Sequence, residues 1–297
     1  MLKKIRRSFE NAVFCMIVAC LLFSIMGAAV KVALQSVPVY EAVFFRSIIS
    51  VVLVGSLIFV RKDSFIGNRP LLLLGRGFAG FVALNLNFYA ISKISLGDAA
   101  ILNQTSPLFV ALFSALFLGE KLSKTLIALS LISFGGVALI IKPTFAHFNY
   151  AYLVGLFGGI VAAIAYLTIS HLHETDSSFT MAFYFTGISS LFTTPLMIHK
   201  AIFPQHTVLI CLLIAGFTGA FAQLFITQAY KNEHASWVSP FSYSSVLFSF
   251  ILGMIYFQEV PDWYSVLGSL IVMISCILLI LTRHPKNKAE ETIEVLE

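Results

Sequence analysis

Apolar residues run along this chain in long blocks separated by short polar seams. Ten blocks of similar length stand out, at residues 12–34, 38–60, 71–91, 99–118, 125–141, 150–171, 179–198, 207–228, 235–257 and 263–282. An α-helix of about 20 residues rises ~30 Å, the depth of a bilayer's hydrocarbon core. The blocks are apolar on every face. They show neither the stripe of a surface helix nor the alternation of a barrel strand. The pattern predicts an all-α membrane protein with ten transmembrane helices. The connecting loops are too short to hold a soluble domain, so no attached ATPase is expected.

Composition sharpens this. Of 297 residues, 59% are hydrophobic and 11% charged, and the mean hydropathy is +0.93. A soluble domain carries about 25% charged residues. A soluble enzyme, a disordered chain and a nucleic-acid-binding module are thereby excluded. Cys15, Cys20, Cys211 and Cys276 all lie inside apolar blocks without metal-ligand spacing, and read as small packing residues. The basic start Lys3-Lys4-Ile5-Arg6-Arg7 resembles a signal peptide, but the run at 12–34 is too long for its apolar core. That run is expected to stay as the first span.

Charge in the loops sets an orientation. With the N-terminus in the cytoplasm, Lys3, Lys4, Arg6, Arg7, Arg61, Lys62, Arg69, Lys121, Lys124, Lys231, Arg283, Lys286 and Lys288 are inside, and only Lys93, Lys142 and Lys200 outside. This is a strong positive-inside bias. It predicts a multi-pass protein of the cytoplasmic (inner) membrane with both termini cytoplasmic.

The two halves resemble each other at one fixed offset. The shift that carries Ala90 onto Ala229 also carries Ser106 onto Ser245, Phe109 onto Phe248 and Glu120 onto Glu259. Five spans per half is an odd number, so the second half is expected to be inverted relative to the first. The expected units are a first repeat at 1–143, a second at 144–282 and a cytoplasmic tail at 283–297.

Few residues carry chemistry. Arg46 lies eight residues inside the second span, about 12 Å deep. A charge there is expensive, at least ~2.5–3.5 kcal/mol, so it should face the bundle interior. Either it meets an anion or a gate, or it ties helices together through backbone carbonyls. Glu41 lies one turn into the same span, and Lys31 near the end of the first; they can pair with each other or snorkel separately. Arg76 is only about five residues inside the third span, within snorkelling reach. In the fourth span, Asn103-Gln104-Thr105-Ser106 precedes Pro107, which leaves the Asn103 carbonyl without a helical partner. The ninth span repeats the arrangement at Ser239-Pro240-Phe241-Ser242-Tyr243-Ser244-Ser245. Loosened backbone among polar side chains is tolerated in a membrane where it faces protein or a wet cavity. Asn85 and Tyr89 in the third span, Tyr166 in the sixth and Gln223 in the eighth complete the cavity candidates. Gly155-Leu-Phe-Gly158-Gly159 and Gly216-Phe-Thr-Gly219 mark sites of close helix approach. His171, His173, Glu174 and Asp176 cluster after the sixth span, but their spacing fits no strong metal motif and reads as a polar loop.

Three stretches carry a family resemblance: Glu41-Ala-Val-Phe-Phe-Arg46; Arg76-Gly-Phe-Ala-Gly80 leading to Phe88-Tyr-Ala-Ile91; and Ser95-Leu-Gly-Asp-Ala followed by Thr105-Ser-Pro107 and Leu118-Gly-Glu120. The chain resembles the EamA-type members of the drug/metabolite transporter superfamily over nearly its whole length. Its second half departs from the pattern, with Val246 where a proline is usual and Gln258 before Glu259. The resemblance implies two inverted five-helix repeats around a cavity lined by spans 1, 3, 4, 6, 8 and 9. It implies a secondary transporter for amino acids, nucleotide-like metabolites, vitamins, cations or drugs. Among bacterial members the chain is also similar to the S-adenosylmethionine uptake type. A small polar or zwitterionic metabolite moved by alternating access fits the amide, hydroxyl and aromatic candidates better than a bare ion. A membrane-embedded enzyme or lipid-handling protein is the competing class; it would need paired acids, a metal set or a nucleophile with its base. The expected partners are a small-molecule substrate and the lipid bilayer, with a homodimer open and no nucleic acid. No cofactor and no metal are expected.

Overall fold

The computed structural model describes residues 2–117, 124–141, 149–172, 175–200, 204–232, 239–275 and 277–278. The described residues form α1 (Leu2–Ala33), α2 (Val39–Arg61), α3 (Pro70–Lys93), α4 (Leu96–Asn103), α5 (Ser106–Phe117), α6 (Lys124–Ile141), α7 (Ala151–Leu172), α8 (Ser178–Lys200) and α9 (His206–Asn232). A 3-10 turn at Ser239–Tyr243 leads into α10 (Ser244–Phe257), and α11 (Trp263–Ser275) follows. With α4 and α5 taken as one broken crossing, these elements make the ten spans expected. Six helices are long and apolar enough to cross a membrane by length and composition. The tail at 283–297 and the loop residues Glu120, Lys121 and Lys142 lie outside the described residues.

Helix ends follow local chemistry. Pro70 opens α3 at a position where its missing N–H is harmless. Ser95 caps α4, its hydroxyl accepting the Asp98 N–H at 3.0 Å. Lys62 and Gln258 end α2 and α10 in the left-handed region, at φ 57° and 55°. The turn at Gln258 lets the Glu259 N–H donate to the Gly253 carbonyl at 3.1 Å, which folds Glu259 back over the end of α10.

The fourth span is not one helix. It breaks at Gln104-Thr105, between α4 and α5. Pro107 sits in the first turn of α5, where a missing N–H is tolerated. The Thr105 carbonyl accepts from the Leu108 and Phe109 N–H groups and so starts the new helix. The ninth span loosens in the same way through its 3-10 turn. The ring contacts of Pro107 and Pro240 lie outside the described side chains.

α1 packs on α9, α3 on α7, and α2 on α8; α3 also meets α8, as α2 meets α9. Glycines set the closest approaches. On α9, a Cβ at Gly216 would lie 2.4 Å from the Ile49 side chain, and one at Gly219 would lie 3.0 Å from Arg46 Nε. On α3, a Cβ at Gly77 would lie 2.5 Å from the Ile188 side chain, and one at Gly80 would lie 2.7 Å from Phe185. The offset between the halves carries each contact onto the other: Gly77 onto Gly216, Gly80 onto Gly219, Ile49 onto Ile188, and Arg46 onto Phe185. The helix breaks show the same matching. Cys20 on α1 lies against the carbonyls of Phe241 and Ser242, and Gly159 on α7 against those of Leu102 and Asn103.

Candidate functional site

Two broken segments cross at the centre. Gln104 Nε2 donates to the Ser242 carbonyl and to Ser245 Oγ, each at 2.8 Å. The Tyr243 hydroxyl donates back to the Gln104 carbonyl at 3.2 Å. Breaking the helix freed that carbonyl and the Ser242 carbonyl, and each break supplies the other's partner. Gln104 and Tyr243 are themselves equivalent positions of the two halves. The two polar stretches touch. α1 tightens the crossing: Ser24 Oγ donates to the Ser245 carbonyl at 3.0 Å and receives from Ser249 Oγ at 3.1 Å. Asn103 stands half-buried beside the crossing, while Ser242 and Tyr243 are buried.

A second centre holds two buried cations. Arg46 is 1% exposed and Arg76 4%. Their guanidinium carbons lie 4.8 and 4.9 Å from the ring centroid of Phe185 on α8. With the charges at most about 10 Å apart, at an effective dielectric of about 20, their repulsion is at least ~1.7 kcal/mol. Each stacking contact with the ring returns about 0.5–2 kcal/mol. Nε and Nη1 of both residues are buried without a hydrogen-bond acceptor among the described residues. Arg46 thus faces the interior as its depth required. Arg76 corrects the snorkelling expectation. Its Nη1 lies 2.8 Å from where a Gly80 Cβ would stand, so the side chain runs one turn deeper along α3. The missing Cβ at Gly80 opens that path. Tyr166, 37% exposed, is within electrostatic reach of Arg76.

A third cluster joins the end of α1 to the residues that follow α3 and α10. Lys31 pairs with Glu259 Oε1 and donates to the Ile94 carbonyl at 2.7 Å. Glu259 Oε2 accepts the Leu96 N–H at 2.8 Å, and the Lys31 ammonium lies over the Phe257 ring. The partner of Lys31 is therefore Glu259, not Glu41. The left-handed turn at Gln258 delivers that carboxylate, while Glu41 is buried in the first turn of α2.

The remaining candidates stand apart. Asn85 spends its amide on the Phe81 carbonyl of its own helix at 2.9 Å. Tyr89 is 40% exposed, and the Gln223 carbonyl accepts the Thr227 hydroxyl within α9. No hydrogen bond joins these three to either centre among the described residues. Asp176 is a loop pin: it accepts the Asn68 N–H at 2.5 Å and fastens the α2–α3 loop to the α7–α8 loop. His173 and Glu174, and the His171 side chain, lie outside what is described. Sequence reasoning missed Asp98, buried and receiving the Tyr152 hydroxyl at 3.3 Å, and Phe185. The offset between the halves places Phe185 opposite Arg46 and was the signal that could have found it.

The profile of the EamA-like transporter family matches this chain twice, over residues 11–142 and 149–281. The chain belongs to that family. It is 34% identical to the pseudopaline exporter CntI of Pseudomonas aeruginosa, over 92% of this chain and 97% of that protein. It is 28% identical to solute carrier family 35 member G1 of Mus musculus, over 88% of this chain and 76% of that one. The S-adenosylmethionine uptake transporter of Rickettsia prowazekii is 23% identical over 81% of this chain and 82% of its own length. A crystal structure with 16% identity superposes with a TM-score of 0.66, covering 92% of this chain and 98% of that chain, and shares the fold. Family and relatives alike are transporters rather than enzymes.

Proposed function

We propose that this EamA-family chain is a secondary transporter that moves a small polar or zwitterionic metabolite across the cytoplasmic membrane by alternating access. Its two repeats, 1–143 and 144–282, are inverted copies, and both termini are cytoplasmic. The observation that carries the reading is the set of contacts matched between the halves. Arg46 on Gly219 answers Phe185 on Gly80, and Cys20 at one helix break answers Gly159 at the other. Two copies that bury equivalent surfaces have two equivalent ways to rock, one opening each side. The helix breaks sit where the copies cross, so a modest rotation there re-pairs few hydrogen bonds. Relatives named for a pseudopaline exporter, a solute carrier and an S-adenosylmethionine transporter favour an organic solute over an inorganic ion.

The test is flux in proteoliposomes. Wild-type protein should exchange a solute selected from a metabolite library. Joint replacement of Asn103 and Gln104, or of Ser242 and Tyr243, should change the affinity for it while membrane expression stays normal. Wild-type affinity and rate in both double variants would place the site elsewhere.

A further inference from the structure

We propose that Arg46 and Arg76 form an occluded subsite for an oxyanion, a carboxylate or phosphate group, on the transported solute. The proposal rests on the transporter reading above and names the chemistry of its cargo. Both guanidiniums are nearly fully buried, and both leave Nε and Nη1 without an acceptor among the described residues. A guanidinium donates in a planar fork that matches a carboxylate or phosphate. Helix packing alone would favour a geometry that spends those donors on backbone carbonyls, and here it does not. The fold instead brings two like charges to one phenyl ring.

The room for the two guanidiniums is built in. Gly80 and Gly219 sit where a Cβ would stand 2.8 Å from Arg76 Nη1 and 3.0 Å from Arg46 Nε. The matched contacts also show what is unmatched. Across the two halves Arg46 answers Phe185 and Arg76 answers Ala215, so both charges belong to the first half. Packing is shared between the halves and the charge is not.

The experiment is thermal unfolding of the purified full chain with matched solutes at equal ionic strength. Citrate, L-glutamate and glucose 6-phosphate are compared with L-glutamine and glucose, and with phosphatidylglycerol. A bound solute raises the melting temperature. At least one anionic solute should stabilise the wild type where the neutral compounds do not. Its apparent affinity should fall at least about tenfold in Arg46→Gln and in Arg76→Gln, and less in Arg46→Lys and Arg76→Lys. Equal stabilisation by neutral and anionic solutes, unchanged affinity in the Gln variants, or a response to phosphatidylglycerol alone would overturn the subsite. Should the Gln variants fail to fold, phenylglyoxal modification of the wild type decides. The anionic solute should protect Arg46 and Arg76 from it, and absence of protection refutes the claim. Counterflow in proteoliposomes separates the two proposals. Binding without flux removes the transporter and keeps the subsite, whereas flux without charge preference does the reverse.

Discussion

Replacing Glu259 by Gln should loosen one end of the bundle by a calculable amount. Glu259 uses one oxygen for Lys31 and the other for the Leu96 N–H. The two side chains are 14% and 21% exposed, so water screens the pair only in part. A hydrogen bond to a charged group contributes about 1.5–3 kcal/mol and a neutral one about 0.5–1.5 kcal/mol. Glu259→Gln keeps the shape and loses the charge, a loss of ~1–2 kcal/mol. Lys31 keeps the Ile94 carbonyl and the Phe257 ring. If the cluster holds this end closed, the ratio of closed to open molecules falls about 5–30-fold. Ile94, 6% exposed beside the cluster, is the reporter position. In a background without native cysteines, Ile94→Cys should react with a water-soluble methanethiosulfonate at a rate raised by that factor. Glu259→Ala, which also strips the Leu96 N–H of its acceptor, should raise the rate further. Unchanged labelling in both variants would show that the ion pair does not hold this end.

Gly159→Ala should destabilise the fold by about 1–3 kcal/mol, because its Cβ would lie 2.7 Å from the Leu102 carbonyl and from Thr105 Oγ1 at the helix break. Gly135→Ala meets nothing within 4 Å and should be neutral or stabilising by up to about 1 kcal/mol; melting temperatures in detergent compare the two, and an equal response would refute the packing argument. A phosphatase reporter fused after Lys93 should be active outside the cytoplasmic membrane, and one fused after Arg61 should be silent; the opposite pattern rejects the orientation.

Much of this architecture was legible because bilayer physics writes it plainly. Blocks of about 20 apolar residues set the spans, and Pro107 and Pro240 among hydroxyls and amides marked both breaks. Arg46 had to turn inward at its depth. Arg76 was misread because depth alone does not decide snorkelling. The direction of its side chain depends on Gly80 and on how α8 lies against α3, and neither is local to Arg76. The partner of Lys31 was hidden for a similar reason. Glu259 is far away in sequence, and only the left-handed turn at Gln258, an unusual conformation for a residue with a side chain, brings it back. Asp98 was not singled out because it stands one residue before the apolar block at 99–118, and the cap at Ser95, which starts a helix there and buries it, binds backbone that the apolar pattern does not mark.

The central claim is that the two halves rock against each other to carry a solute. It is tested most directly by locking one end. In the cysteine-free background, Lys31→Cys and Glu259→Cys stand where the ion pair stood, and a short cleavable thiol linker can join them. The flux to be read is exchange of a labelled solute found by thermal-shift screening. Unlinked protein should exchange it, linked protein should stop, and cleavage of the linker should restore the rate. Exchange that continues unchanged with this end locked, or a wild type that exchanges no solute in the library, would contradict the account.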